Sequence, residues 1–200
     1  MRFVHPKLFV YWPALLAGVM ATLAGVGLAR FAYTPLIPVV IQAQWFSASD
    51  AAYLGAANLL GYFVGAISAH RLASSLAPRR VVASSLVIVV LSFVLCSFDA
   101  DFYWFFSWRF LAGVAGAVLM VVVPSMALSS TPVSHRAVVG TLVFTGVGLG
   151  AVFSAFIVPR LLSFHLTLTW LVLGGLSLVV GVLCDQGFKR LPRASLSPSP

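Results

Sequence analysis

Arg30, Tyr33 and Thr34 stand at i, i+3 and i+4 inside one long apolar stretch, so a helix carries all three on one face. A guanidinium beside a phenol and a hydroxyl is equipped to hold a polar or anionic group by hydrogen bonds. Arg109 stands in a second apolar stretch, and Asn58 and Tyr62 lie one turn apart in a third. Each has a plainer reading. Arg30 is either a contact to a bound solute or a coupling group, or a structural Arg bonded to carbonyls freed near Pro35 and Pro38. Arg109 lies about two turns inside its stretch, shallow enough for its side chain to reach the interface. Asn58 either lines a cavity or hydrogen-bonds between helices, the commoner fate of a lone Asn among apolar helices. No nucleophile–base pair and no phosphate loop is present. His5, His70, His135 and His165 have no metal-ligand spacing, and Cys96 and Cys184 read as buried small hydrophobes. The chain is expected to be no enzyme, to hold no metal and to need no cofactor.

The elements that position these residues follow from composition. Of 200 residues, 61% are hydrophobic and 8% charged, with four Asp and no Glu. Soluble domains carry roughly a quarter charged residues, so a water-soluble globule and a disordered chain are excluded. Two Cys rule out a disulfide scaffold. A spanning helix takes about 20 mostly apolar residues, and uninterrupted apolar stretches give spans near 14–41, 51–69, 81–98, 103–128, 137–159 and 166–184. The expected fold is an all-α membrane bundle of six transmembrane helices, with cytoplasmic segments at 1–13 and 185–200 and the lipid bilayer as its first partner. With the N-terminus inside, Arg2, Lys7, Arg71, Arg79, Arg80, Arg136, Lys189, Arg190 and Arg193 are cytoplasmic and only Arg160 is outside. That asymmetry satisfies the positive-inside rule and puts both termini in the cytoplasm. It also explains the net charge of +8 without nucleic acid, since no basic face has interleaved aromatics.

Within the spans, two prolines three apart are expected to bend the first helix, and Ser49-Asp50 to cap the second. Gly61 and Gly65 have the small-residue spacing of close helix contacts. The third span is nearly featureless and reads as lipid-facing. Gly113 and Gly116 mark the fourth span, which later meets Pro124, and the fifth holds Gly140, Gly146, Gly148 and Gly150. Tyr11, Trp12, Trp45, Tyr103, Trp104, Trp108 and Trp170 lie near span ends, as an interfacial belt does. Spans one and four each carry an intramembrane Arg followed by a proline, the faint symmetry expected of two inverted three-helix repeats.

Several segments together resemble the major facilitator superfamily, in its YbfB/YjiJ-type branch. Gly27 to Pro38 (GLARFAYTPLIP) is similar to that branch's first helix, and Ala51 to Tyr62 to its second. Arg109-x-x-x-Gly113-x-x-Gly116 resembles the fourth-helix motif, and the run Gly140 to Gly150 a fifth-helix motif frequent in exporters. The loop after helix two departs from the usual Gly-x-x-x-Asp-Arg-x-Gly-Arg-Arg: here Gly65 leads to Ala69-His70-Arg71 and, after an insertion, Arg79-Arg80, with no Asp.

The resemblance implies one half of a twelve-helix carrier of a small-molecule solute in the plasma membrane, the bacterial inner membrane. Transport by alternating access then requires a second six-helix half, a self-copy or a separate chain. Arg30, Tyr33, Asn58, Tyr62 and Arg109 are the expected cavity or coupling residues. Pro35, Pro38, Gly61, Gly65, Gly113, Gly116, Gly146 and Gly150 are the expected packing or gating positions. A homodimer is expected to associate through the Arg30 and Gly61/Gly65 faces. The competing reading is a non-transporting truncated membrane protein or a helix-packing subunit. With no acid inside any span, the pocket leans toward an anionic group on the solute.

Overall fold

The computed structural model describes residues 11–190, which form helices and short connections with no strand. Six helices are long and apolar enough to cross a bilayer: Trp12–Gln42, Ala48–Ser75, Pro78–Leu95, Phe102–Ser129, Val133–Leu162 and Leu166–Lys189. These are spans one to six, and "exposed" here means uncovered by protein, whether facing lipid or water. The last span continues past residue 184, through Asp185 to Lys189. Residues 1–10 and 191–200, with Arg2, His5, Lys7 and Arg193 among them, lie outside the described residues.

Local chemistry sets the span ends. Span two is capped by Ser47, not by Ser49-Asp50: the Ser47 hydroxyl accepts from the Asp50 N–H (3.1 Å) and donates to the Asp50 carboxylate (2.7 Å). The acid sits three residues into the helix, where it reinforces the cap and meets the positive helix end. Asp101 caps span four in the same way, accepting from the Trp104 N–H at 2.7 Å. The expected insertion after Gly65 is not a loop. Span two runs on to Ser75, and only Leu76 and Ala77 separate it from Pro78, whose ring is tolerated in a first turn.

Span one is broken, but not where the prolines predict. An α-helix over Trp12–Thr22 widens into π-helical turns over Leu23–Leu28, and a second α-helix runs over Tyr33–Gln42. The Ala29 N–H reaches back five residues to the Ala24 carbonyl, and the Phe31 N–H to that of Val26. Pro35 falls in the first turn of the second helix, where its missing N–H costs little. The irregularity therefore lies upstream, around Gly25 and Gly27, and Arg30 sits just after it.

Spans one and four are the most buried and cross at the centre, with Gly25 against Gly116. Span two lies along span four, span five along span one, spans three and six each flank one of the central pair, and three packs on six. Exchanging spans one, two and three for four, five and six maps this arrangement onto itself. Because equivalent spans are three apart, an odd step, they run in opposite directions, so the repeats are inverted, as in half of a facilitator fold.

Glycines carry the symmetry. Gly61 and Gly65 lie on the span-four backbone at Phe110 and Val114, while Gly146 and Gly150, with the same spacing, lie on span one at Val19 and Gly27. A Cβ at any of the four would overlap backbone. Gly113 receives the Asn58 carbonyl reciprocally. The Arg–Pro pairing does not share this equivalence: Arg109 precedes Gly113 by four residues, whereas Arg30 follows Gly27 by three. The Gly61/Gly65 face is thus filled within the chain and is not free for a self-copy, which corrects that part of the homodimer expectation.

Two further expectations are corrected. Span three is not simply lipid-facing: Val82, Ser85, Val89, Ser92 and Phe93 are buried against spans four and six, and Ser92 donates to the Trp108 carbonyl at 3.1 Å. Val82, Ser85, Val89 and Ser92 follow an i, i+3/i+4 stripe that a nearly uniform apolar sequence disguises. Trp170 does not belong to an interfacial belt. It is fully buried, with ring centroids 6.1 Å from both Phe93 and Phe105. Tyr103, by contrast, is largely exposed at the start of span four.

Candidate functional site

A cleft of about 180 Å³ opens between spans one, two and four, lined by Arg30, Tyr33, Thr34, Ile37, Gly55, Asn58, Leu59 and Arg109. Four of the five cavity residues expected from the sequence meet there. Tyr62 is not in the lining, but its ring lies 5.8 Å from the Arg30 guanidinium carbon. Larger grooves exist, one of about 480 Å³ between spans three and six, but its walls are almost entirely aliphatic until Asp185 and Lys189 at one end. The small cleft is where polar chemistry collects.

The break in span one places Arg30. Wide turns over Leu23–Leu28 change the helix phase just before it, so its side chain is exposed while Ala29 and Ala32 on either side are buried. Tyr33, one turn on, is buried and donates its hydroxyl hydrogen to the Ala51 carbonyl of span two at 3.1 Å. Its ring rests near Trp170, centroids 6.4 Å apart, and Trp170 in turn packs on Phe93 and Phe105. That aromatic stack, with Phe46 edge-on to Phe105, fixes the Tyr33 ring plane.

Arg109 lies on the other face of this ring, its guanidinium carbon 4.4 Å from the centroid. The residue is 1% exposed, so it does not reach out to the interface: close packing of span four between spans one, two and three closes that route. Its Nε is buried without a hydrogen-bond partner. A desolvated cation over an aromatic face gains about 2 kcal/mol, which offsets only part of the cost of a charge at this depth. Neither Arg30 nor Arg109 forms an ion pair among the described residues.

Asn58 joins spans two and four: its side-chain amide donates to the Arg109 carbonyl at 3.0 Å, and it also borders the cleft. The interhelical hydrogen bond and the cleft lining are both present. Across the repeat axis, Thr22 donates to the Val143 carbonyl at 2.7 Å and Ser154 to the Gly27 carbonyl at 3.3 Å, fastening span one to span five. Pro35 borders a separate shallow hollow with Phe31, Thr34, Ala151, Ser154 and Ala155. Pro38 lies inside the second half of span one. Thr34 thus borders openings on both sides of span one.

Sequence reasoning missed the wall residues Ile37, Gly55 and Leu59, which carry no polar signature, and the support given by Trp170. Gly55 stands at i−3 from Asn58 and Ile37 at i+4 from Tyr33, so the i±3/i±4 rule was a usable signal for those two, whereas Leu59 directly follows Asn58 and falls outside it.

A family model described as "Uncharacterised MFS-type transporter YbfB" matches residues 22–200. Among curated proteins, a benzoate transport protein of Acinetobacter baylyi is 25% identical over 153 residues, covering 74% of this chain and 33% of the relative. An uncharacterized MFS-type transporter of Yersinia enterocolitica is 29% identical over 101 residues, 50% of this chain and 26% of the relative. The chain therefore spans about a third or less of the length of these relatives. Six apolar spans, inverted repeats and a polar cleft agree with that match, and the chain belongs to the YbfB-type family of major facilitator transporters.

Proposed function

We propose that the chain acts as one six-helix half of a carrier that moves a small solute across the membrane by alternating access, its cleft completed by a second half. The observation that carries this reading is Arg30: an exposed cation near the middle of span one, bordering the cleft shared with Tyr33, Asn58 and Arg109. A charge held there against lipid costs several kcal/mol, and such residues face a bundle interior or a water-filled cavity. A covering half removes that cost and encloses the cleft. Both termini are then cytoplasmic, the orientation that the distribution of basic residues supports. Benzoate is the solute to try first, given the name of the Acinetobacter relative.

The test is uptake of labelled benzoate by cells expressing the chain with and without a candidate second half, beside the mass of the purified protein in mild detergent after subtracting bound detergent. A stable species of twice the 21.3 kDa chain mass, or a stoichiometric complex with another chain, together with uptake abolished by Arg30→Ala, supports the carrier. A monomer without uptake under all these conditions rejects it in favour of a non-transporting subunit.

A further inference from the structure

We propose that the cleft at Arg109 is a binding site for the carboxylate of a small monoanion with an apolar body; as a statement about cargo it rests on the carrier reading, but the site itself does not. Arg109 is 1% exposed, borders the cleft, and has a buried Nε with no partner. Among the described residues its charge is met only by the face of Tyr33, and a second cation, Arg30, lines the same opening. Two cations bordering one opening, with no anion beside them among the described residues, repel each other, and the buried one lacks solvation.

The chain's own acids do not relieve this. Asp50 is engaged with Ser47 at the start of span two, and Asp101 caps span four. Asp185 pairs with Arg79 and Lys189 at 2.7 Å each, and Asp99 is exposed in the turn between spans three and four. A second copy of this chain brings no carboxylate inside a span either, because it has no other acids. Negative charge at this cleft therefore comes from outside the chain's own spans, and a ligand's carboxylate supplies it; an acid on a second half is the competing source, which titration of the chain by itself separates from a ligand.

The lining narrows the class. A guanidinium presents a planar fork that a carboxylate accepts in two parallel hydrogen bonds. Beside it, Ile37, Leu59 and the Tyr33 ring offer apolar wall, and Thr34 and Asn58 are the only other polar side chains apart from Arg30. This suits one carboxylate on an aliphatic or aromatic body better than a sugar, which asks for many donors and acceptors, and better than a cation.

The experiment titrates the full 200-residue chain in mild detergent with sodium benzoate, benzamide and benzylamine, matched in shape but anionic, neutral and cationic, reading the midpoint of thermal unfolding. Sodium chloride and sodium phosphate at equal ionic strength form the inorganic arm. The expected result is a saturable rise with benzoate at concentrations at least about tenfold below those needed for benzamide, the factor a charge-assisted hydrogen bond supplies. No rise is expected with benzylamine. Arg109→Lys, which keeps the charge but not the fork, is expected to weaken benzoate about tenfold. Equal response to benzamide, or a response to phosphate or chloride as strong as to benzoate, overturns the proposal. So does unchanged benzoate binding in Arg109→Gln. The ligand series on the unaltered chain stands even where that variant does not fold. Binding without uptake in cells defeats the carrier reading and leaves this site standing; uptake with no preference for the anion does the reverse.

Discussion

The Arg109 guanidinium lies over the ring of Tyr33, 4.4 Å from its centroid, while the Tyr33 hydroxyl reaches past it to the Ala51 carbonyl of span two. One side chain thus faces a buried cation with its ring and a neighbouring helix with its hydroxyl. Spans one, two and four meet through this single residue.

The two roles separate by substitution. Tyr33→Phe keeps the ring and loses one buried hydrogen bond, an expected cost of about 1 kcal/mol. Tyr33→Leu also removes the cation's aromatic face, adding about 2 kcal/mol. Reversible unfolding in mixed micelles measures both. Equal losses in the two variants would show that the ring contributes nothing to Arg109.

The glycine contacts make a sharper contrast. Gly65→Leu and Gly150→Leu force a side chain into the backbone of the facing helix, and each is expected to cost at least the 1–3 kcal/mol typical of overpacking, about that or more. Gly148→Ala lies in the same glycine run with nothing near its Cβ position and is expected to be harmless. Unfolding midpoints or protease resistance in membranes distinguish them. A loss in Gly148→Ala as large as in Gly150→Leu would show that the run acts through helix flexibility, not helix contact.

Cys96 and Cys184 are both free and buried, Cys184 against the Ala17 carbonyl. Neither is expected to react with a membrane-impermeant maleimide until the protein is denatured. A cysteine introduced as Thr34→Cys, at the exposed edge of the cleft, is expected to react in the folded chain. Mass spectrometry after labelling reads all three positions at once.

At the other end of the bundle, Arg79 and Lys189 share the Asp185 carboxylate, with all three side chains substantially exposed. Asp185→Asn is expected to shift stability by no more than about 1 kcal/mol, less in high salt. A much larger loss, measured by unfolding at low and high salt, would make this trio a structural clamp between spans three and six.

Periodicity and length made the six spans readable because a bilayer imposes one demand on every crossing helix. The cluster at Arg30, Tyr33, Asn58 and Arg109 was readable because polar side chains among apolar ones must find each other. Lateral packing left no such mark. Trp170 lies four residues after the start of span six, a depth compatible with an interface, and only its neighbours Phe93 and Phe105 make it core. The break in span one was placed at Pro35 and Pro38 because proline is the loud signal. The quieter feature at the break is Gly25 and Gly27 pressed against Gly116 and Gly150, visible only once three helices are assembled. Likewise the repeat was sought in matching arginines, while the structure carries it in Gly61/Gly65 and Gly146/Gly150.

The exposed Arg30 has a cellular corollary. On the carrier reading a second half covers Arg30, so the unassembled chain carries an uncovered cation inside the membrane, and its steady-state amount is expected to track the supply of that half. Arg30→Leu is expected to uncouple the two, so that the chain accumulates to the same level with or without that half.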